Sequence, residues 1–82
     1  MRYYFITEEL VLKSTRECIR RVFICQSNED TALLAWHSRT PGKIVQDFIK
    51  DQEVFFKSFY FGTEISKKKF KLLRALHIEE VV

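Results

Sequence analysis

Only two glycines and one proline occur in 82 residues. Tight hairpins draw on glycine or Asn-Gly pairs for their positive backbone φ angles, so a chain this poor in turn formers is expected to avoid sheets. Helices need such punctuation only at their ends. Two stretches read as clear loops, Ser27-Asn28-Glu29-Asp30 and Ser38-Arg39-Thr40-Pro41-Gly42. The length suits one small core, and 46% apolar with 30% charged residues excludes a disordered chain.

Helical patterning dominates between the loops. Thr40 and Pro41 suit a helix start, and Gly62 suits the left-handed residue that ends one. Between them Ile44, Val45, Phe48, Ile49, Phe55, Phe56, Phe59 and Tyr60 fall within an arc of about 160° on a helical wheel. A long helix over 40–62 is therefore expected, although the aromatics of 54–61 have high strand propensity. Ser14-Thr15-Arg16-Glu17 matches a capping box, and Cys18, Ile19, Val22, Phe23 and Cys25 share one helical face after it. Asn28 caps the next helix, whose Ala32-Leu33-Leu34-Ala35-Trp36 run is apolar almost all round and reads as the buried central helix. Thr63 or Ser66 caps the last, with a core stripe of Ile65, Leu72, Leu73 and Leu76 and Phe70 at its margin. Residues 2–13 suit a short helix or an edge strand equally. The expected fold is an all-α helical bundle of about five helices in one domain, 1–82. The alternative is α+β, with a small sheet built from the N-terminal segment and residues 54–61.

Glu8 and Glu9 interrupt the apolar N-terminus before a secretory core forms, and no apolar run approaches the roughly 20 residues of a membrane span. Cys18 and Cys25 are seven apart, beyond disulfide reach on helix or strand alike. Two reduced, buried thiols and a cytoplasmic location are expected. The cysteines lack the close spacing of a metal site, and His37 and His77 stand near no Ser or Cys in a nucleophile-and-base pattern. Asp47 and Asp51, four apart on an exposed side, repel rather than form an acid–base pair. No catalytic residue, metal, cofactor or small-molecule substrate is expected.

The net charge is +3, distributed as +2 over residues 1–26, −2 over 27–53 and +3 over 54–82. Lys67, Lys68, Lys71 and Arg74 cluster on the wheel away from the last core stripe, and Arg16, Arg20 and Arg21 would extend that basic face if their helices lay side by side. After a Ser66 cap, lysines in the first turn oppose the helix dipole, so something other than stability would favour them. Such a face suits DNA or RNA phosphate contact with weak sequence specificity, because it lacks side chains that read base edges bidentately. Val54 and Phe61 lie on the polar side of the long helix, and Ile24 and Ile78 are similar apolar strays. Together they read as a surface covered by a protein partner or a second copy, as in a homodimer. The leading expectation is a non-enzymatic regulator or adaptor acting through that surface. A nucleic-acid-binding regulator is the alternative.

Overall fold

The computed structural model describes residues 1–39 and 54–81, with the backbone alone described at 39 and 54–57. Strand β1 (Arg2–Leu12) is followed by β2 (Cys18–Ser27), helix α1 (Ala32–Arg39), β3 (Val54–Ile65), helix α2 (Lys67–Ala75) and the short β4 (Glu80–Val81). The four strands form one sheet in the order β3-β1-β2-β4. β1 pairs antiparallel with both β2 and β3, and β4 runs parallel to β2.

Alternation along β1 divides the core in two. Tyr4, Ile6, Glu8, Leu10 and Leu12 point to one face and are buried, while Tyr3, Phe5, Thr7, Glu9 and Val11 point to the other and are half-buried. On the first face Tyr4, Ile6, Phe23, Cys25 and Val81 pack with Ala32 and Ala35 of α1, flanked by Trp36 and Phe59. On the second, Ile24, Ile65 and Phe70 of α2 form a smaller cluster with Tyr3, Phe5, Leu73 and Ile78. Each fully buried aromatic or branched side chain contributes about 1.5–3 kcal/mol, so the two clusters hold the helices to opposite sides of the sheet.

An all-α bundle is not what forms. The N-terminal segment and residues 54–61 both lie in the sheet, as in the α+β alternative, and β2 joins them. The supposed capping box is the turn between β1 and β2. There Arg16 N–H donates to Leu12 O at 2.9 Å, Leu12 N–H to Glu17 O at 2.9 Å, and Glu17 N–H to Thr15 Oγ1 at 3.2 Å. Arg16 takes the left-handed conformation (φ 58°) itself, so the hairpin closes without glycine. The remaining strands are joined by longer connections, which makes glycine scarcity a weak argument against a sheet.

Gly62 is not a helix end. Among the described residues no glycine has positive φ. A Cβ at Gly62 would stand 2.7 Å from Ala32 Cβ and 2.9 Å from the Phe59 ring, so the missing side chain lets β3 approach α1. The first half of the expected 40–62 helix, including Asp47 and Asp51, lies outside the described residues; 54–62 are strand. Helix α1 forms as expected but is capped by Thr31, whose Oγ1 accepts from Leu34 N–H at 3.2 Å, rather than by Asn28. It is not a buried centre either, because Leu33 and Leu34 are exposed while Ala32 and Ala35 face the sheet.

Candidate functional site

Helix α2 begins at the second of its two expected caps, since Thr63 lies in β3. Ser66 adopts the extended N-cap conformation (φ −71°, ψ 157°), and its Oγ accepts from Lys69 N–H at 3.1 Å. Lys67, Lys68 and Lys69 then fill the first turn, which holds no acidic residue. Cations there oppose the positive end of the helix dipole, at a cost of roughly 0.3–1 kcal/mol each.

The buried side of the helix differs from the expected stripe. Phe70 is fully buried and Leu73 half-buried, whereas Leu72 and Leu76 are exposed. Ile65, which belongs to the expected stripe, is the last residue of β3 and not helical, so the helix presents a different side to the sheet. The helix ends by satisfying its own carbonyls: His77 N–H donates to Arg74 O at 3.0 Å and Ile78 N–H to Leu73 O at 3.1 Å, with His77 in the left-handed place usually given to glycine. Ile78 accordingly packs beside Leu73 and is no stray. Ile24 is none either, being 0% exposed beneath α2.

With Phe70 and Leu73 turned down, Lys67, Lys71 and Arg74 rise along one flank and Leu72 and Leu76 along the other. The cationic flank borders an open cleft of about 310 Å³ lined by Tyr3, Gln26, Lys67, Phe70, Lys71 and Arg74. Tyr3 leans on Phe70 with ring centroids 4.9 Å apart. Arg74 is held twice: its guanidinium lies 4.9 Å from the Phe70 ring centre, and it forks onto Glu80 at 2.7 and 3.0 Å.

The other arginines are likewise committed to structure. Arg20 bonds Glu9 at 3.3 Å and lies 3.9 Å over the Tyr60 ring. Arg21 forks onto Glu79 beside β4, through Nε at 2.9 Å and through Nη2. Arg2 bridges Asp30 and Glu64 at 3.9 and 3.7 Å; a side-chain hydrogen bond with Tyr4, and after it the charge of Glu64, keep its pKa raised. Arg16 sits in the β1–β2 turn, and the nine residue steps of strand from Tyr3 to Leu12, about 30 Å, separate that end of the sheet from the cleft. The expected seven-residue basic face is thus divided. Lys67, Lys68, Lys71 and Arg74 come together, while Arg16, Arg20 and Arg21 are elsewhere and not on a helix. Lys67, Lys68, Lys69 and Lys71 are all exposed, and among the described residues none has an ion-pair partner.

The expected apolar surface is also rearranged. Ile24 and Ile78 belong to the core, the Val54 side chain lies outside the described residues, and Phe61 remains 55% exposed. Phe61 pairs across the sheet with Thr7, which pairs with Val22, and a register shift after Thr7 brings Tyr60 beside them. Among the described residues, Val22, Tyr60 and Phe61 are the exposed large apolar side chains on the half of the α2 face that the helix leaves open.

Sequence reasoning missed Tyr3, Gln26 and Phe70 as lining residues. Tyr3 and Gln26 are directly opposed in the β1–β2 register, and recognising β2 as a strand would have paired them. It also missed Glu8, which is 1% exposed on the α1 face and accepts from Trp36 Nε1 at 2.7 Å through Oε2, while Oε1 has no partner among the described residues. Cys18 is exposed and Cys25 buried, with no disulfide between them, so only one of the two expected buried thiols is buried. Among the described residues no cluster of three or more His, Cys, Asp or Glu could hold a metal ion, and no helix is long and apolar enough to cross a membrane. Comparison with protein-family models, characterised proteins and solved structures finds no match for this chain.

Proposed function

We propose that this protein acts by binding a polyanion, a nucleic acid, through the cationic flank of α2, making phosphate contacts with Lys67, Lys68 and Lys71. One observation carries this. The described arginines of the sheet and cleft are engaged by acidic or aromatic neighbours, whereas the lysines gathered at the start of α2 have no acidic partner among the described residues and stand where they oppose the helix dipole. Charge left unneutralised at a structural cost is available to phosphate. Arg74, fixed by Glu80, lines the same cleft. The contacts are to backbone phosphate, the protein acts without catalysing a reaction, and a cytoplasmic setting suits the exposed Cys18 thiol.

Fluorescence anisotropy with labelled single- and double-stranded oligonucleotides tests the proposal. If three lysines each engage a phosphate, raising salt from about 50 to about 200 mM weakens binding roughly 20- to 40-fold. A Lys67→Gln/Lys68→Gln/Lys71→Gln variant should lose both the affinity and the salt dependence. Absence of binding at the lower salt, or undiminished binding by the variant, would sink it.

A second function is favoured by the cross-strand row that includes Val22 and Phe61, with Tyr60 beside it: a regulator or adaptor contact with a protein partner, a homodimer included. Sedimentation velocity of the unaltered chain and of Phe61→Asp measures the homodimer directly. A monomer that sediments identically in both removes self-association.

A further inference from the structure

Phosphate contact accounts for the lysines but not for the other wall of the cleft. We infer that the cleft receives one unstacked nucleobase, so that the ligand class is single-stranded nucleic acid. This rests on the polyanion function proposed above and adds a base to it.

Tyr3 is the half-buried aromatic of the cleft, and Phe70, itself 1% exposed, supports its ring at a 50° tilt. A base laid against Tyr3 therefore meets a ring already ordered by the core, and stacking costs little further side-chain entropy. Gln26 stands opposite Tyr3 in the β1–β2 register and lines the same cleft, which makes the wall beside the base polar. Lys67 and Arg74 lie seven residues apart on the helical flank, about 10.5 Å, with Lys71 between them. That row suits the sugar-phosphate backbone running past the inserted base.

The chemistry disfavours a duplex. A cleft of about 310 Å³ is at the small end of ligand sites, which run to roughly 1,000 Å³, and it has room for a base. A paired base is covered on both faces and reaches a protein ring only after leaving the stack. The flank of α2 turned away from the cleft offers no alternative route into a groove, because Leu72 and Leu76 are exposed there in place of Asn, Gln or Arg readers.

Three labelled probes decide the matter, each about 12 nucleotides long and so within the usual site size: a base-bearing single strand, an abasic strand of equal charge, and a duplex. The base-bearing strand should bind about tenfold or more tighter than the abasic strand and tighter than the duplex. Tyr3→Leu should erase the gap between the two single strands while leaving abasic binding and its salt dependence unchanged. Equal affinity for abasic and base-bearing strands, or a duplex bound as tightly as the single strand, overturns the inference and leaves polyanion binding standing. No binding to any probe at about 50 mM salt overturns both. The abasic comparison uses the unaltered protein, so it remains decisive even if Tyr3→Leu fails to fold.

Discussion

The two faces of the sheet are built to different rules. On the α1 face every inward residue of β1 from Tyr4 to Leu12 is buried, and even the carboxylate of Glu8 is inside, held by Trp36. On the α2 face the helix covers one end, and beyond it Val22, Tyr60 and Phe61 stay exposed while Arg20 and Glu9 pair in solvent. Burial on one side supplies the stability that allows the other to keep unpaired cations and uncovered rings. The comparison teaches that substitutions should sort by face: costly for folding on the α1 side, costly for binding on the α2 side.

The largest folding effect is expected at Trp36. Trp36→Phe removes the indole N–H that satisfies Glu8, leaving a buried carboxylate without that partner and a gap beside Phe59, whose ring centroid is 5.8 Å away. A loss of about 2–4 kcal/mol is expected in urea unfolding. An unchanged midpoint would mean that the Glu8–Trp36 contact adds nothing and that the contrast between the faces is overstated.

Gly62→Ala comes next, because the new methyl would meet Ala32 Cβ, a group with no rotamer to yield. A cost of about 1–3 kcal/mol is expected, and Ala32→Gly in the same chain should recover part of it. Measured as a double-mutant cycle, the coupling reports directly on the packing of α1 against β3. Additive effects would show that the two elements do not touch at this point.

Charge reversal at the start of α2 should act with the opposite sign. Lys67→Glu and Lys68→Glu place carboxylates in the first turn after Ser66, where the helix dipole favours them, so each should stabilise by about 0.3–1 kcal/mol at low salt. The same pair should abolish oligonucleotide binding. A chain that gains stability while losing its ligand is the clearest sign that these lysines are kept for contact. Loss of stability instead would assign them a structural role and remove the contrast.

What could be read from the chain followed the same division. The α2 helix, Ser66 as one of its two candidate caps, and its cationic flank were legible because an exposed amphipathic helix carries a local period and cap, although counting Ile65 as helical misplaced the buried stripe. Strand β2 was not. Phe23, Ile24 and Cys25 are buried in succession, since the strand is sandwiched between both helical layers, and a run buried on both faces shows no alternation. Its apolar residues also fall at helical spacing after a false capping box, and only tertiary pairing with β1 overrides that local signal. The hairpin was hidden because Arg16, rather than glycine, takes positive φ. Tyr3 and Gln26 became neighbours only once that hairpin was in place, so the cleft could not be assembled before β2 was recognised.

The two cysteines offer the finest probe of the difference between the faces. Cys25 is buried on the α1 side, whereas Cys18 is exposed on the α2 side and donates to Glu9 Oε2 at 3.5 Å. A thiol reagent should therefore modify Cys18 in the folded protein and Cys25 only as the chain unfolds. Cys18 should nevertheless react sluggishly, because partial desolvation, and after it the hydrogen bond and negative charge of Glu9, push its pKa up against the smaller opposing pull of Arg20. The reactive species is the thiolate, so a raised pKa means less of it at any pH below the titration. Glu9→Gln removes the charge but keeps Arg20, which should lower the Cys18 pKa and move the pH profile of alkylation to lower pH. Mass spectrometry of the alkylated protein distinguishes the sites. Equal labelling of both thiols under native conditions would show the α1 face opening readily, and a Glu9→Gln profile that does not shift would leave desolvation as the whole cause.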